Sequence, residues 1–431
     1  MRSKLGWLAA LAAVIAVAVP AVAQANEVTN WNAIAQNTIL AQPPNASAAP
    51  ASAVFMAMVQ GSVYGAVNAI DRRHRPYLVQ RRFPHASEEA AAATAAFRVL
   101  DALFPAQHDA LQAQYDASLA GIPEGRAKGK GIEVGTMAAE AMLAEGHDGR
   151  AGPIPPLPPV GPGYWQPLLD ANGNPILDPS PWVALARPFL VRSSSQFRTA
   201  GPNALTSSAY TGDFNEVVQL GALDSPFRTP EQTHIAVFWQ SNPMATWNGV
   251  ARRLAEEWQL DISDSAVLFG MMDLTAGDAQ INCWNDKYYW GFWRPIGAIR
   301  QADTDGNPDT TADPNWRPLF VPTLDPAIAG VGPPLNTPPY PDHPSGHLCF
   351  SSSSMHALQD FFGTDEVTFF VTSSRFPGEQ RSFDRFSDVI SQLVQARIWA
   401  GIHFREADEQ GALLGERVAR YTQQHYFGSL H

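Results

Sequence analysis

Residues 262–295 read ISDSAVLFGMMDLTAGDAQINCWNDKYYWGFWRP. No proline interrupts the run before Pro295, and it predicts a helix over about 262–290. It closes on Lys287-Tyr-Tyr-Trp-Gly-Phe-Trp-Arg294-Pro295. Seven residues are about two helical turns, so Lys287 and Arg294 are expected to point the same way. Two cations on one aromatic-rich face repel each other unless an anion sits between them. Taken alone, the pair could equally well snorkel to solvent past its aromatic neighbours.

Outward from this stretch the signals stay helical. Ala51 to Ile70 is an alanine-rich run, and Ser87 with Glu88 and Glu89 caps a helix that stops at Pro105. Helices are also expected at about 106–119, 132–144 and 243–258. Thr229-Pro230-Glu231-Gln232 combines an N-cap, a proline at the first helical position and a capping-box glutamine. Later helices are expected from Ser345 to Phe362, then at about 383–400 and 404–426, and alternating strand patterns are hard to find. The class is all-α: two packed helical bundles with the active site in the C-terminal one. Residues 27–52 look like a flexible lead-in. The expected division is 1–25 as a signal peptide, 26–150 as an N-terminal helical half, 151–182 as a connection and 183–431 as the C-terminal half. The connection holds ten prolines between 151 and 181, which no helix or central strand tolerates.

Composition narrows the function classes. The 431 residues carry 29 basic and 41 acidic side chains, a net charge of −12, with no basic blocks. Nucleic acid is therefore a poor partner. At the start, Arg2 and Lys4 precede an uncharged stretch from Leu5 to Ala23, and Ala21-Val22-Ala23 offers the small residues of a cleavage site. The expectation is an exported, periplasmic or secreted protein with no stable membrane insertion after cleavage. Cys283 and Cys349 are the only cysteines, expected as separate buried thiols, and no structural zinc spacing exists. Asp303-x-Asp305-Gly306-Asn307 has a calcium-loop look, but position 314 is Pro where the bidentate Glu belongs, so a solvated turn is the better reading.

Two further segments share the oxyanion theme of Lys287 and Arg294. Pro344-Ser345-Gly346-His347 stands where a proline-rich loop enters a helix. Free backbone donors, a glycine that lets an anion approach, a hydroxyl and a proton-exchanging imidazole meet there. His343 and His347 have a metal-like spacing, but Pro344 between them argues against a shared helical face. Arg397-Ile-Trp-Ala-Gly401-Ile-His403 is the other segment. On one straight helix Arg397 and His403 would diverge, and Gly401 offers a break that could bring them together. Lysine, two arginines, a capped helix start and two histidines suit a tetrahedral oxyanion.

The order and spacing resemble the signature of vanadium-dependent haloperoxidases and type 2 phosphatidic acid phosphatases: Lys-x6-Arg-Pro, Pro-Ser-Gly-His and Arg-x5-His. The helix 51–70 and the tail near Gly411 also look like bacterial members. The resemblance implies that Lys287, Arg294, Ser345, Gly346 and Arg397 hold the oxygens of vanadate. It implies His403 as axial ligand, His347 as the acid–base group and Lys287 as the group that polarises bound peroxide. Trp284 and Tyr340 fall at positions associated with the halide. The implied cofactor is orthovanadate, with no zinc and no haem. The implied partners are hydrogen peroxide, halide and a small organic substrate, and a homo-oligomer is compatible with all of this.

The same residues on phosphate would make an exported acid phosphatase with a phospho-histidine at His403. Two departures from the pattern bear on the choice. Arg397 follows Ala396 where many relatives carry Ser. Position 407, four after His403, is Ala where phosphatases usually place an Asp, and Asp408 is one residue off. His403 is thus expected to need another acceptor, and its weakness as a nucleophile favours the haloperoxidase.

Overall fold

The computed structural model describes residues 26–321 and 326–430. The expected signal peptide, 1–25, lies outside the described residues. Glu27–Leu40, Ala49–Asp71, Glu88–Leu103, His108–Ala120 and Arg126–Ala144 pack into a first helical bundle. Ile262–Trp290, Gly346–Phe362, Phe386–Trp399 and Arg405–His425 build the second. The bundles meet where Ile262–Trp290 lies along Ala49–Asp71.

That contact explains the composition of both helices. Ala49–Asp71 is buried from Pro50 to Ile70, and its apolar window is enclosed by protein on every side. A helix apolar all round belongs inside. Small residues set the interhelical distance: a Cβ on Gly277 would come 2.8 Å from the Cβ of Ala57, and one on Gly270 would come 2.7 Å from Tyr64. Buried apolar side chains from Val28 to Phe427 form one continuous cluster across the two bundles.

Two sequence expectations change. The lead-in is not loose: Glu27–Leu40 is a helix whose N-cap, Asn26, accepts from the backbone of Val28 and Thr29. Val28, Trp31, Ala35 and Ile39 form its buried stripe, a helical spacing hidden among polar residues. A strand pair also exists, Glu366–Thr372 against Gln380–Arg385, with Phe369 opposite Phe383. Val367, Phe369 and Val371 point inward in alternation, and the helix expected from 383 starts only at Phe386. The proline-rich connection packs against the second bundle. Its backbone pairs with the end of the long helix, Trp165 N donating to Gly291 O and Trp293 N to Gly163 O, at 2.8 and 3.0 Å.

Candidate active site

Lys287 stands in the last turn of Ile262–Trp290, and that helix ends at Gly291, in the left-handed region at φ 58°. Arg294 is the N-cap of a separate short helix, Pro295–Arg300. The expected shared helical face is therefore wrong. The two cations converge because the chain reverses at Gly291, which the two-turn argument did not see. Both reach the same stretch of backbone. Lys287 Nζ donates to the carbonyls of Pro341 and Asp342 at 2.9 Å, and Arg294 Nε to that of Tyr340 at 2.8 Å.

That stretch leads into Ser345, N-cap of Gly346–Phe362. Glycine at 346 is required by packing, since a Cβ there would lie 2.6 Å from the Trp284 ring. The Ser345 hydroxyl has no hydrogen-bond partner among the described residues and lies beside the buried Asp408 carboxyl. His347, one position into the helix after Gly346, is partly exposed. Arg397 comes from the end of Phe386–Trp399, donating through Nη1 to Gln240 Oε1 at 2.9 Å, while its Nε has no partner. Gly401 then turns the chain at φ 74°, where a Cβ would lie 2.3 Å from Gly221 O. This elbow is the break expected from the sequence, and it returns His403 to the site.

His403 shows how the site is poised. Its Nε2 lies 3.2 Å from Arg294 Nη1. Guanidinium can only donate, so Nε2 must carry the lone pair and the proton must sit on Nδ1. Nδ1 lies 2.7 Å from Asp342 Oδ1, close but off the line of a well-aligned hydrogen bond. Asp342 is the acceptor that sequence reasoning left unassigned. It stands five residues before His347, and only the fold sets it behind His403.

The electrostatics favour an anion. Lys287, Arg294, Arg397 and His403 are at most 3% exposed. Burial pushes the Lys287 amine down to about 8 and the Asp342 carboxyl up to about 7, outweighing the attraction of Asp342 to Arg294 and Lys287. Asp408 is raised well above the usual carboxylate range by the same cause. Burial first, then Arg294, Lys287 and Arg397, hold His403 far below its ordinary value, so the imidazole is neutral. Burial and Arg397 act likewise on His347. Three buried cations thus face carboxyls that resist ionisation, a combination that is costly without a bound anion.

Other predicted residues fall into place around this cradle. The Trp284 and Tyr340 rings are 4.9 Å apart at centroid, and Lys287 Nζ lies 5.5 and 5.2 Å from them. Trp284 Nε1 donates to Asp178, a residue of the connection, at 2.9 Å. His343 does not join His347: its ring nitrogens meet Thr199 Oγ1 and Glu406 Oε2, each at 2.8 Å. Cys283 and Cys349 are free buried thiols. In the calcium-like loop, Asp305 accepts from the Asn307 amide at 2.7 Å, an Asx turn around Gly306, but Asp305 and Asn307 are buried, so the turn is not the solvated one expected.

Residues 267–430 match the family model of the VCPO second helical-bundle domain. Over 224 residues the chain is 28% identical to a vanadium chloroperoxidase of Curvularia inaequalis, covering 45% of this chain and 35% of that protein. The chain thus spans about a third of the length of that curated relative. In fold it is similar to the first bacterial vanadium-dependent iodoperoxidase, with TM-score 0.75 and 21% identity over 94% of this chain and 98% of that one. A holo-type bacterial vanadium-dependent chloroperoxidase matches with TM-score 0.68 and 17% identity, over 93% and 97% of the two chains.

Proposed function

We propose that this chain is a member of the superfamily of vanadium haloperoxidases and type 2 phosphatidic acid phosphatases and that it oxidises halide with hydrogen peroxide, a reading supported by its similarity to a vanadium chloroperoxidase and to the VCPO second helical-bundle domain. Halide, peroxide and one proton give hypohalous acid and water, and the hypohalous species halogenates a small organic substrate. The observation that carries this reading is the cradle itself: the buried cations Lys287, Arg294 and Arg397 around His403, whose Nε2 keeps its lone pair beside Arg294.

The donor set fits vanadate. An unpartnered donor at Arg397 Nε, together with three buried cations, calls for a tetrahedral oxyanion. Lys287, Arg294, Ser345, Gly346 and Arg397 would hold its oxygens, and His403 Nε2 would be its protein ligand. When bound, vanadate would serve as a Lewis acid that activates peroxide without changing its own oxidation state. His347, neutral and partly exposed, would take the proton that peroxide releases on entry. Lys287, with two N–H groups on the Pro341 and Asp342 carbonyls, would have one left to donate to an oxygen of the bound anion. Trp284 and Tyr340 would wall the position from which halide approaches. Export to the periplasm or medium is part of the proposal, resting on the leader at 1–25.

One observation favours the phosphatase reading. Asp342 supplies the acceptor behind His403 that Ala407 cannot, so the argument that His403 is too poorly oriented for nucleophilic attack no longer holds. Parallel assays decide: purified protein with and without orthovanadate, for peroxide-dependent bromide and iodide oxidation and for phosphate-ester hydrolysis. Vanadate-dependent halide oxidation is expected. Ester hydrolysis at ordinary enzymatic rates, about 1–10³ s⁻¹, with no halide oxidation would replace the proposal by the phosphatase.

A further inference from the structure

Arg294 belongs to two places at once. One side of it forms the cradle, and it also lines a cavity of about 580 Å³, well within the range of small-molecule sites. The proline-rich connection makes one wall with Leu168, Leu169 and Ile176, and Ile296 and Phe320 contribute others. Leu169 is 63% exposed, an uncovered apolar side chain held in place by the short bridge between Leu169 and Pro175.

The charge of this cavity is lopsided. Arg294, Arg300 and Arg317 line it and, among the described residues, no Asp or Glu does, in a chain with twelve more acidic than basic residues. Arg294 is already committed, through Nε and Nη1, to the carbonyls of Tyr340 and Ile402 and to His403. Arg300 is tied only through Nε, to Trp316 O at 2.9 Å, and the side chain of Arg317 makes no hydrogen bond among the described residues. Burial lowers the Arg300 pKa, Asp313 partly offsets this, and the neighbouring Arg317 lowers it further. A further group is unanswered: Thr337 lines the cavity, is 9% exposed, and its hydroxyl has no partner among the described residues. Buried hydroxyls are ordinarily paired.

We infer that this cavity is the subsite for the organic substrate, and that the substrate is an organic anion with an apolar, ring-sized body. Its acidic group binds Arg300 and Arg317, its body lies on Leu168, Leu169 and Ile176, and its far end reaches the cradle at Arg294. The reaction it would undergo there rests on the haloperoxidase reading; its binding does not.

Calorimetric titration of the protein with 3-(4-hydroxyphenyl)propionate and with the neutral amide of the same acid tests this, since the two differ only in charge. The propionate is expected to bind at least tenfold tighter than the amide, and to do so equally well when orthovanadate fills the cradle. Arg300→Gln with Arg317→Gln should erase the preference. Leu169→Asp, at an exposed position that does not threaten folding, should weaken the propionate more than the amide. Equal binding of the two probes to wild type, a preference that survives the double variant, or displacement of the propionate by vanadate would each overturn the inference. In turnover, the ratio of kcat/KM for the anionic over the neutral phenol should fall in the double variant. Binding as described without any halide oxidation would sink the proposed function and leave the subsite standing.

Discussion

The helix Ile262–Trp290 does different work along its length and at its last turn. Over most of its length it lies against Ala49–Asp71, where glycine and alanine bring the backbones together and apolar groups fill the gap. At its last turn it delivers Lys287 into a pocket of buried cations, unpaired donors and carboxyls that resist ionisation. The first region is what a stable protein looks like. The second departs from it in every respect, and such departures are expected where a ligand completes the structure. Substitutions in the two regions should therefore fail in different assays.

His403→Ala carries the largest expected effect. It removes the proposed ligand nitrogen, and vanadate binding, followed by titration, should vanish while the melting temperature hardly moves. Unchanged vanadate affinity would sink the ligand assignment. His347→Ala comes next: vanadate binding is retained and peroxide turnover drops by about 10²–10⁴-fold, the usual worth of positioned acid–base help. A mutant with ordinary turnover and pH dependence would move proton transfer to another group.

Asp342→Asn sharpens the comparison from behind the site. It takes away the carboxylate facing His403 Nδ1, and vanadate affinity should fall by roughly 10–100-fold, as for other partners of ligating histidines. An effect on the melting temperature alone would make Asp342 a structural residue. The smallest effect on function belongs to Gly277→Val, in the middle of the same helix where it packs on Ala49–Asp71. Its branched side chain would collide with Ala57, and overpacking of this kind destabilises by about 1–3 kcal/mol. Chemical denaturation should register the loss, while vanadate affinity of the folded protein stays at the wild-type value. A fall in affinity as large as that of Asp342→Asn would show that the two regions are not separable.

The helical class was legible because caps, prolines and apolar runs are local signals. Thr229 and Gln232 form the capping box their spacing implied, and the helix expected from Ser345 starts at Gly346 with Ser345 at its N-cap position, though without a side-chain cap hydrogen bond. The misses were also local. The stripe Val28, Trp31, Ala35, Ile39 is diluted by asparagines and glutamines, and Val367 to Val371 is too short a run to stand out between helices. Lys287 and Arg294 were joined correctly by an incorrect argument, since a turn at Gly291 and not a common helix face brings them together.

The sequence by itself determined which residues could form an oxyanion site, because Lys-x6-Arg-Pro, Pro-Ser-Gly-His and Arg-x5-His fix the residue types and their order. It also determined that His403 would need an acceptor other than Ala407. Which residue that is, only the tertiary structure decided: Asp342 and His403 are 61 positions apart in the chain and 2.7 Å apart in space. The cavity beside Arg294 has the same origin, with a wall from the connection, a floor from Pro295–Arg300 that brings Arg300, and Arg317 from the loop beyond it. Periodicity and capping act within a few residues of chain and leave their mark in sequence. Hydrogen bonds and ion pairs act over a few ångströms of space, and no spacing along the chain records them.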